Sequence, residues 1–181
     1  ASTSTGAITM NPNIWNGTTW SLGAPSDTTN DSSTNSGIVT IERITQPMYK
    51  FDYTYWGSPL TQASGYTLGT LSPNTLIDKY FSWTPTIANA GGNWAFETQA
   101  TVMDPRKGYI VRAPQTFSSN PAVKAPYTAN FIGTPNNGVI SSPILHGTLA
   151  VGVNDDKYNL LGNPYPSALD AQAFLTDLAN T

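Results

Sequence analysis

Groups able to do acid–base or nucleophilic chemistry are few in this chain. His146 is the single histidine, set between Leu145 and Gly147. A Ser–His–Asp arrangement would have to use it, yet no Gly-x-Ser-x-Gly elbow is present, so His146 reads as a strand-end or turn residue. Glu42 and Glu97 are the two glutamates, both inside strand-like patterns. A glycosidase needs two carboxylates facing one cleft. Glu42 alternates with Val39 and Ile41 and is expected to face solvent beside Arg43. Asp27, Asn30 and Asp31, and separately Asn154, Asp155 and Asp156, form oxygen-rich loops. Calcium takes about six to eight oxygens, and neither loop has EF-hand spacing. Both fit turns in which Asn and Asp bond their own backbone. Trp15, Trp20, Trp56, Trp83 and Trp94 could form a sugar-stacking platform, although their apolar contexts favour core packing. No phosphate-binding glycine loop and no metal-spaced histidine cluster occurs. The reading is a non-enzyme with no catalytic, cofactor-binding or metal site.

Such sparse chemistry must be carried by a folded scaffold, and composition describes it. The 181 residues suit one domain with its own core. Charged residues are 10%, against a usual ~25%. The polar remainder is uncharged, with 25 Thr, 16 Ser and 16 Asn. Disorder goes with high charge and few aromatics, whereas aromatic residues here reach 11%, so the chain should fold. Net charge is −3 with only eight Lys and Arg, and no basic cluster. Nucleic acid and anionic membrane surfaces are therefore disfavoured as partners. Cysteine is absent, which removes disulfides and thiolate metal sites. No apolar run approaches the ~20 residues of a membrane span.

Alternation and turn residues dominate the chain. The β-branched run 38–44 and the aromatic run 48–56 read as strands. Further strands are expected at 18–22, 79–83, 94–98, 108–112, 127–132, 139–144, 148–153 and 158–161. Asn137-Gly138 signals a hairpin. In the aromatic run, Phe51, Tyr53 and Tyr55 share one face and Asp52 and Thr54 the other, so the aromatic set is expected to face the core beside strand 79–83. One helix is expected over 167–178, with Ser167 as N-cap and Asp170 three residues on. A shorter helix is expected near 72–76. About ten short strands with turns between them predict an all-β fold. The architecture expected is a β-sandwich, jelly-roll-like or Ig-like, with one short C-terminal helix. Residues 1–13 read as a flexible N-terminal arm or donor strand and 14–181 as a single sandwich domain.

The polar stretch 26–37 should be an exposed loop. Asp27-Thr28-Thr29 fits a short pattern on which Bacteroidota attach O-glycans, which makes Thr28 a candidate site. The opening Ala-Ser-Thr-Ser-Thr reads like a mature terminus after removal of a signal peptide.

Several stretches resemble one family in their order. They are Ile14-Trp15-Asn16-Gly17-Thr18-Thr19-Trp20-Ser21-Leu22-Gly23-Ala24-Pro25, Phe51-Asp52-Tyr53-Thr54-Tyr55-Trp56-Gly57-Ser58-Pro59 and Lys107-Gly108-Tyr109-Ile110-Val111-Arg112-Ala113-Pro114. Phe131-Ile132-Gly133-Thr134-Pro135-Asn136-Asn137-Gly138 and Asn159-Leu160-Leu161-Gly162-Asn163-Pro164-Tyr165-Pro166-Ser167 follow. Together they resemble the type IX secretion cargo of Bacteroidota, large cell-surface, adhesin-like proteins of Flavobacteriia. The resemblance implies export to the cell surface or extracellular space and a non-catalytic role. It supplies no ligand and no catalytic residue. Relatives usually carry a long repetitive region after the opening motif and further aromatic strands after the helix. The expectation here is a fragment, or a compact subunit lacking those strands.

Three function classes follow. The first is a structural or adhesive surface protein that self-associates head to tail into a filament by strand donation. Its donor would be 1–14, with Ile8, Met10 and Ile14 at even spacing. The second is a carbohydrate-binding module for a surface glycan. The third, a hydrolase, is weakest for want of acid–base groups. A glycan module would gather at least two Trp or Tyr side chains on an exposed face; a structural subunit would bury them.

Overall fold

A computed structural model describes residues 6–10, 13–15, 20–22, 35–86, 93–147 and 158–176. Residues 26–34 of the expected loop 26–37, with Thr28, the expected oxygen-rich loop 154–156 and the expected strand 148–153 lie outside the described residues; 35–37 are exposed. The strands are β1 (Gly6–Met10), β2 (Asn13–Trp15), β3 (Trp20–Leu22), β4 (Val39–Ile44) and β5 (Tyr53–Trp56), then β6 (Tyr80–Thr84), β7 (Asn93–Phe96), β8 (Tyr109–Arg112), β9 (Thr128–Gly133) and β10 (Ile140–Ile144). Two helices accompany them, α1 (Leu68–Leu71) and α2 (Ala171–Thr176). All pairing between these strands is antiparallel. One sheet has four strands in the order β5-β8-β6-β7, and β4 pairs with β9, β1 with β10 and β2 with β3.

Alternation on β9 buries Ala129 and Phe131 and exposes Thr128, Asn130 and Ile132. The inner face of the four-stranded sheet offers Trp56, Tyr80, Tyr109 and Val111 to the same core. The Phe131 ring lies 4.9 Å from Tyr66 and 6.2 Å from Trp56. Leu68 and Leu71 of α1 close the cluster. The fold is thus an all-β, sandwich-like arrangement with a short C-terminal helix. Its core is rich in tyrosine, and each hydroxyl must find an acceptor. Tyr80 donates to the Ser72 carbonyl at 2.6 Å, Tyr66 to the Asn130 carbonyl at 2.9 Å and Tyr165 to that of Gly138 at 2.7 Å. Burial pushes the Tyr109 hydroxyl up to about 12, and Tyr66 and Tyr80 rise for the same first reason.

Local expectations meet several corrections. The run 48–56 is not one strand. A turn closed by Asp52 N–H to the Tyr49 carbonyl, with Tyr49 N–H to Asp52 Oδ2, delays β5 to Tyr53. Its faces are also inverted. Tyr53 and Tyr55 point outward with Phe51 exposed, while Trp56 is buried, because Trp56 has Phe131 and Tyr127 to pack on. Asn137-Gly138 makes no hairpin. Gly138 takes a φ of 72°, but β9 and β10 go on to different partners. Residues 158–161 contribute a single bridge, Leu161 to Lys107, rather than a strand. The short helix lies at 68–71, capped by Thr67 Oγ1 accepting from Thr70 N–H, and 72–75 is a turn. The C-terminal helix begins at Ala171. Its cap is Asp170, whose Oδ1 accepts from Ala173 N–H, because the Ser167 carbonyl is held by Asn163.

Candidate functional site

Strand alternation gives the four-stranded sheet a second, outward face. With Trp56, Tyr80, Ser82, Tyr109 and Val111 turned inward, the intervening residues turn out. These are Tyr53 and Tyr55 of β5, Phe81 and Trp83 of β6, and Trp94 and Phe96 of β7. Register sets them in rows. Tyr55, Ile110, Phe81 and Phe96 are successive partners across all four strands, and Trp83 faces Trp94 one pleat further on. Ring centroids are 5.0 Å apart for Phe81–Phe96, 5.2 Å for Trp83–Trp94, 6.2 Å for Tyr53–Phe81 and 6.5 Å for Tyr55–Trp94. Tyr53, Tyr55, Trp94 and Phe96 are exposed, Tyr55 by 64% and Phe96 by 73%, while Phe81 and Trp83 are half-buried among them.

Segment 158–163 walls one end of the face. At the level of Trp83, β8 is preceded by Gly108, whose N–H donates to the Leu160 carbonyl at 2.9 Å. The indole Nε1 of Trp83 donates to the Tyr158 carbonyl at 2.9 Å. Three glycines permit this crossing. A Cβ on Gly108 would stand 2.6 Å from Leu160 Cγ, and one on Gly57 2.8 Å from Gly162 Cα. A Cβ on Gly162 would stand 2.5 Å from the Lys107 carbonyl oxygen. Beyond the crossing, Asn163 Oδ1 accepts from Tyr165 N–H and its Nδ2 donates to the Ser167 carbonyl. Asn136 Nδ2 donates to the carbonyls of Pro164 and Leu60, and Arg43 to that of Tyr165. The wall is therefore fixed by side chains from three distant stretches.

Two clefts result. One of about 290 Å³ is lined by Tyr53, Phe81, Trp94 and Ile110. The other, of about 360 Å³, lies between Tyr55, Trp83 and Trp94 on one side and Tyr158, Asn159 and Leu160 on the other. At the opposite end of the face, Arg112 stands across from Tyr53, with its guanidinium 5.6 Å from the Phe51 ring centroid. Lys79 adjoins it, its carbonyl accepting from Arg112 N–H, and its ammonium pairs with Asp78. The Lys79 hydrogen bond, with the Arg112 charge in support, holds the Asp78 carboxyl below its ordinary range.

The residues singled out by chemistry are scattered. Glu42 is exposed on β4. Glu97 directly follows β7, and its carboxylate accepts from Ser82 Oγ at 2.7 Å and from Thr101 Oγ1 at 3.1 Å. His146 Nδ1 lies 2.7 Å from the Gly147 carbonyl oxygen. Among the described residues no cluster of His, Asp or Glu is placed to hold a metal ion. Ile8 and Met10 fall in β1, which pairs with β10 of the same chain (Ile8 opposite Ser142, Met10 opposite Ile140), and Ile14 is in β2 opposite Ser21. The aromatic face itself was expected to point inward. Its signal was the aromatic residues at both parities of β5 and β6, more than one core face can bury.

Residues 26–181 match the family described as Domain of unknown function (DUF8693), and the chain belongs to that family. No curated protein and no solved structure matches it.

Proposed function

We propose that this DUF8693 member is a non-catalytic, adhesive binding domain that takes carbohydrate on the aromatic face of its four-stranded sheet. The observation that carries the reading is the outward row of Tyr, Trp and Phe rings flanked by two clefts. Contiguous exposed apolar surface of this kind marks an interaction site. A pyranose ring presents an apolar C–H face to an aromatic ring and keeps polar edges for hydroxyl partners, and Tyr and Trp supply both kinds of contact. The sheet and the glycine-packed wall hold the rings before any ligand arrives, which lowers the ordering cost of binding. Export to the bacterial surface by the type IX route accompanies this reading and is supported by the motif resemblance.

Trp83 and Trp94 report on their own face. Titration of the chain with neutral oligosaccharides should shift its tryptophan fluorescence, and Trp94→Ala should weaken binding at least ten-fold while leaving the melting temperature within a few degrees. A Trp94→Ala chain that binds as the parent does would overturn the reading.

A second reading rests on β1, which has β10 as its one strand partner among the described residues. The same register formed between copies would join them head to tail, and a heterologous contact of that kind grows a filament. Deletion of residues 1–10 should leave a soluble monomer where the full chain polymerises; filaments that persist would sink it.

A further inference from the structure

We infer that Arg112 makes the Phe51–Tyr53 end of the aromatic face a subsite for an acid group, so that the saccharide bound is anionic. This rests on the carbohydrate reading above. Arg112 is only 9% exposed, and its Nε is buried with no hydrogen-bond partner among the described residues. A buried donor left unmade is costly, and in a native structure it calls for a partner. No carboxylate of the described residues forms a salt bridge with it: Asp78 pairs with Lys79, Asp104 with Arg106 and Asp52 with Lys124.

Position makes this arginine part of the face. Register sets it opposite Tyr53, which lines the first cleft, and two residues along β8 from Ile110, which lines the same cleft. Two strand residues span about 7 Å, comparable with one sugar residue. A chain lying across Ile110 and Tyr53 would therefore bring an acid substituent to the guanidinium. The planar fork matches a carboxylate in a bidentate pair, and the Phe51 ring below holds the fork in place. Lys79 adjoins this end, but its ammonium is compensated by Asp78, so the unpaired cation beside the apolar rings is the Arg112 guanidinium, in a chain that is acidic as a whole.

The test titrates the full 181-residue chain, by tryptophan fluorescence, with three trisaccharides: galacturonic acid, its neutral galactose counterpart, and a sulfated form of the latter. The expected result is at least ten-fold tighter binding of an acidic trisaccharide than of the neutral one, with the gap narrowing as salt is raised. The better of the two acidic ligands identifies the acid group, carboxylate or sulfate. Arg112→Gln should bring the acidic ligand to the neutral affinity and leave neutral binding within two-fold. Arg112→Lys, which keeps the stem and charge but loses the fork, should cost the acidic ligand three-fold or more and guards against a Gln variant that fails to fold. Equal affinity for acidic and neutral ligands, or an acidic preference that survives both substitutions, overturns the acid subsite and leaves the aromatic platform standing. No response to any of the three overturns the platform itself.

Discussion

Gly162→Ala tests whether segment 158–163 is packed where the structure has it. The added methyl would lie 2.5 Å from the Lys107 carbonyl oxygen and 3.0 Å from Gly57 Cα, and both are backbone atoms. Neither can rotate away, so the segment must lift or the Lys107–Gly108 stretch before β8 must bend. Overpacking a tight site typically costs about 1–3 kcal/mol. Backbone on two sides puts this site at the upper end, at about 3 kcal/mol. For a chain of this length, each kcal/mol lowers the melting temperature by roughly 2–4 °C, which gives a fall of roughly 6–12 °C. Lifting the segment also withdraws Tyr158 and Leu160 from the second cleft and breaks the Trp83 indole bond to the Tyr158 carbonyl. The assay is thermal and urea unfolding followed by tryptophan fluorescence, with Gly65→Ala as a control. Gly65 has a φ of 67° and no atom within 4 Å of where its methyl would stand, so its cost is conformational only, about 1–2 kcal/mol. A Gly162→Ala melt within about 1 °C of the parent would refute the three-glycine crossing.

Three further outcomes are expected. Tyr53→Ala removes a ring that is 40% exposed and should cost about 1 kcal/mol, whereas Phe131→Ala empties a fully buried site and should cost about 3–5 kcal/mol; equal costs in urea melts would undo the assignment of faces. Tyr109 is neutral in the fold up to about 12 against roughly 10 when unfolded, so its contribution is intact below about pH 10 and is lost as pH rises from there towards 12. Melts from about pH 8 to about pH 11.5, read with tyrosinate absorbance, should show stability falling above about pH 10 and Tyr66, Tyr80 and Tyr109 ionising only as the chain unfolds; full tyrosine ionisation in the folded state would contradict their burial. Asp170→Ala should cost about 1 kcal/mol and fray α2 by circular dichroism while Ser167→Ala leaves both unchanged, and the reverse pattern would restore Ser167 as the cap.

Much of the scaffold was legible in the residues because strands need only local information. β-branched and aromatic runs bounded by Gly, Pro and Asn located β4, β6, β8, β9 and β10 within a residue or two. Want of charge, cysteine and histidine bounds the side-chain chemistry of this chain whatever its fold. The stretches around Gly57, Gly108, Asn136 and Gly162 stood out together, but their reason was not visible in one dimension. The three glycines meet at one crossing, where backbone at Gly57 and Gly162 and the Leu160 side chain at Gly108 lie too close for a Cβ.

What alternation alone leaves undetermined is which of two faces is the inner one. In β5, Tyr53 and Tyr55 outnumber Trp56, and a hydrophobic count turns them inward. Tertiary packing reversed this, because Phe131 and Tyr127 come from β9 and the stretch before it, far along the chain, and give Trp56 its neighbours. Hairpin and helix-cap signals failed for the same physical reason. Asn137-Gly138 permits a reversal but does not choose a partner for β10, and Ser167 can cap a helix only if its carbonyl and the preceding turn are free of Asn163. Period, composition and the scarcity of acid–base groups are properties of the sequence itself; long-range contacts decided its faces, and with them which aromatic surface is left exposed.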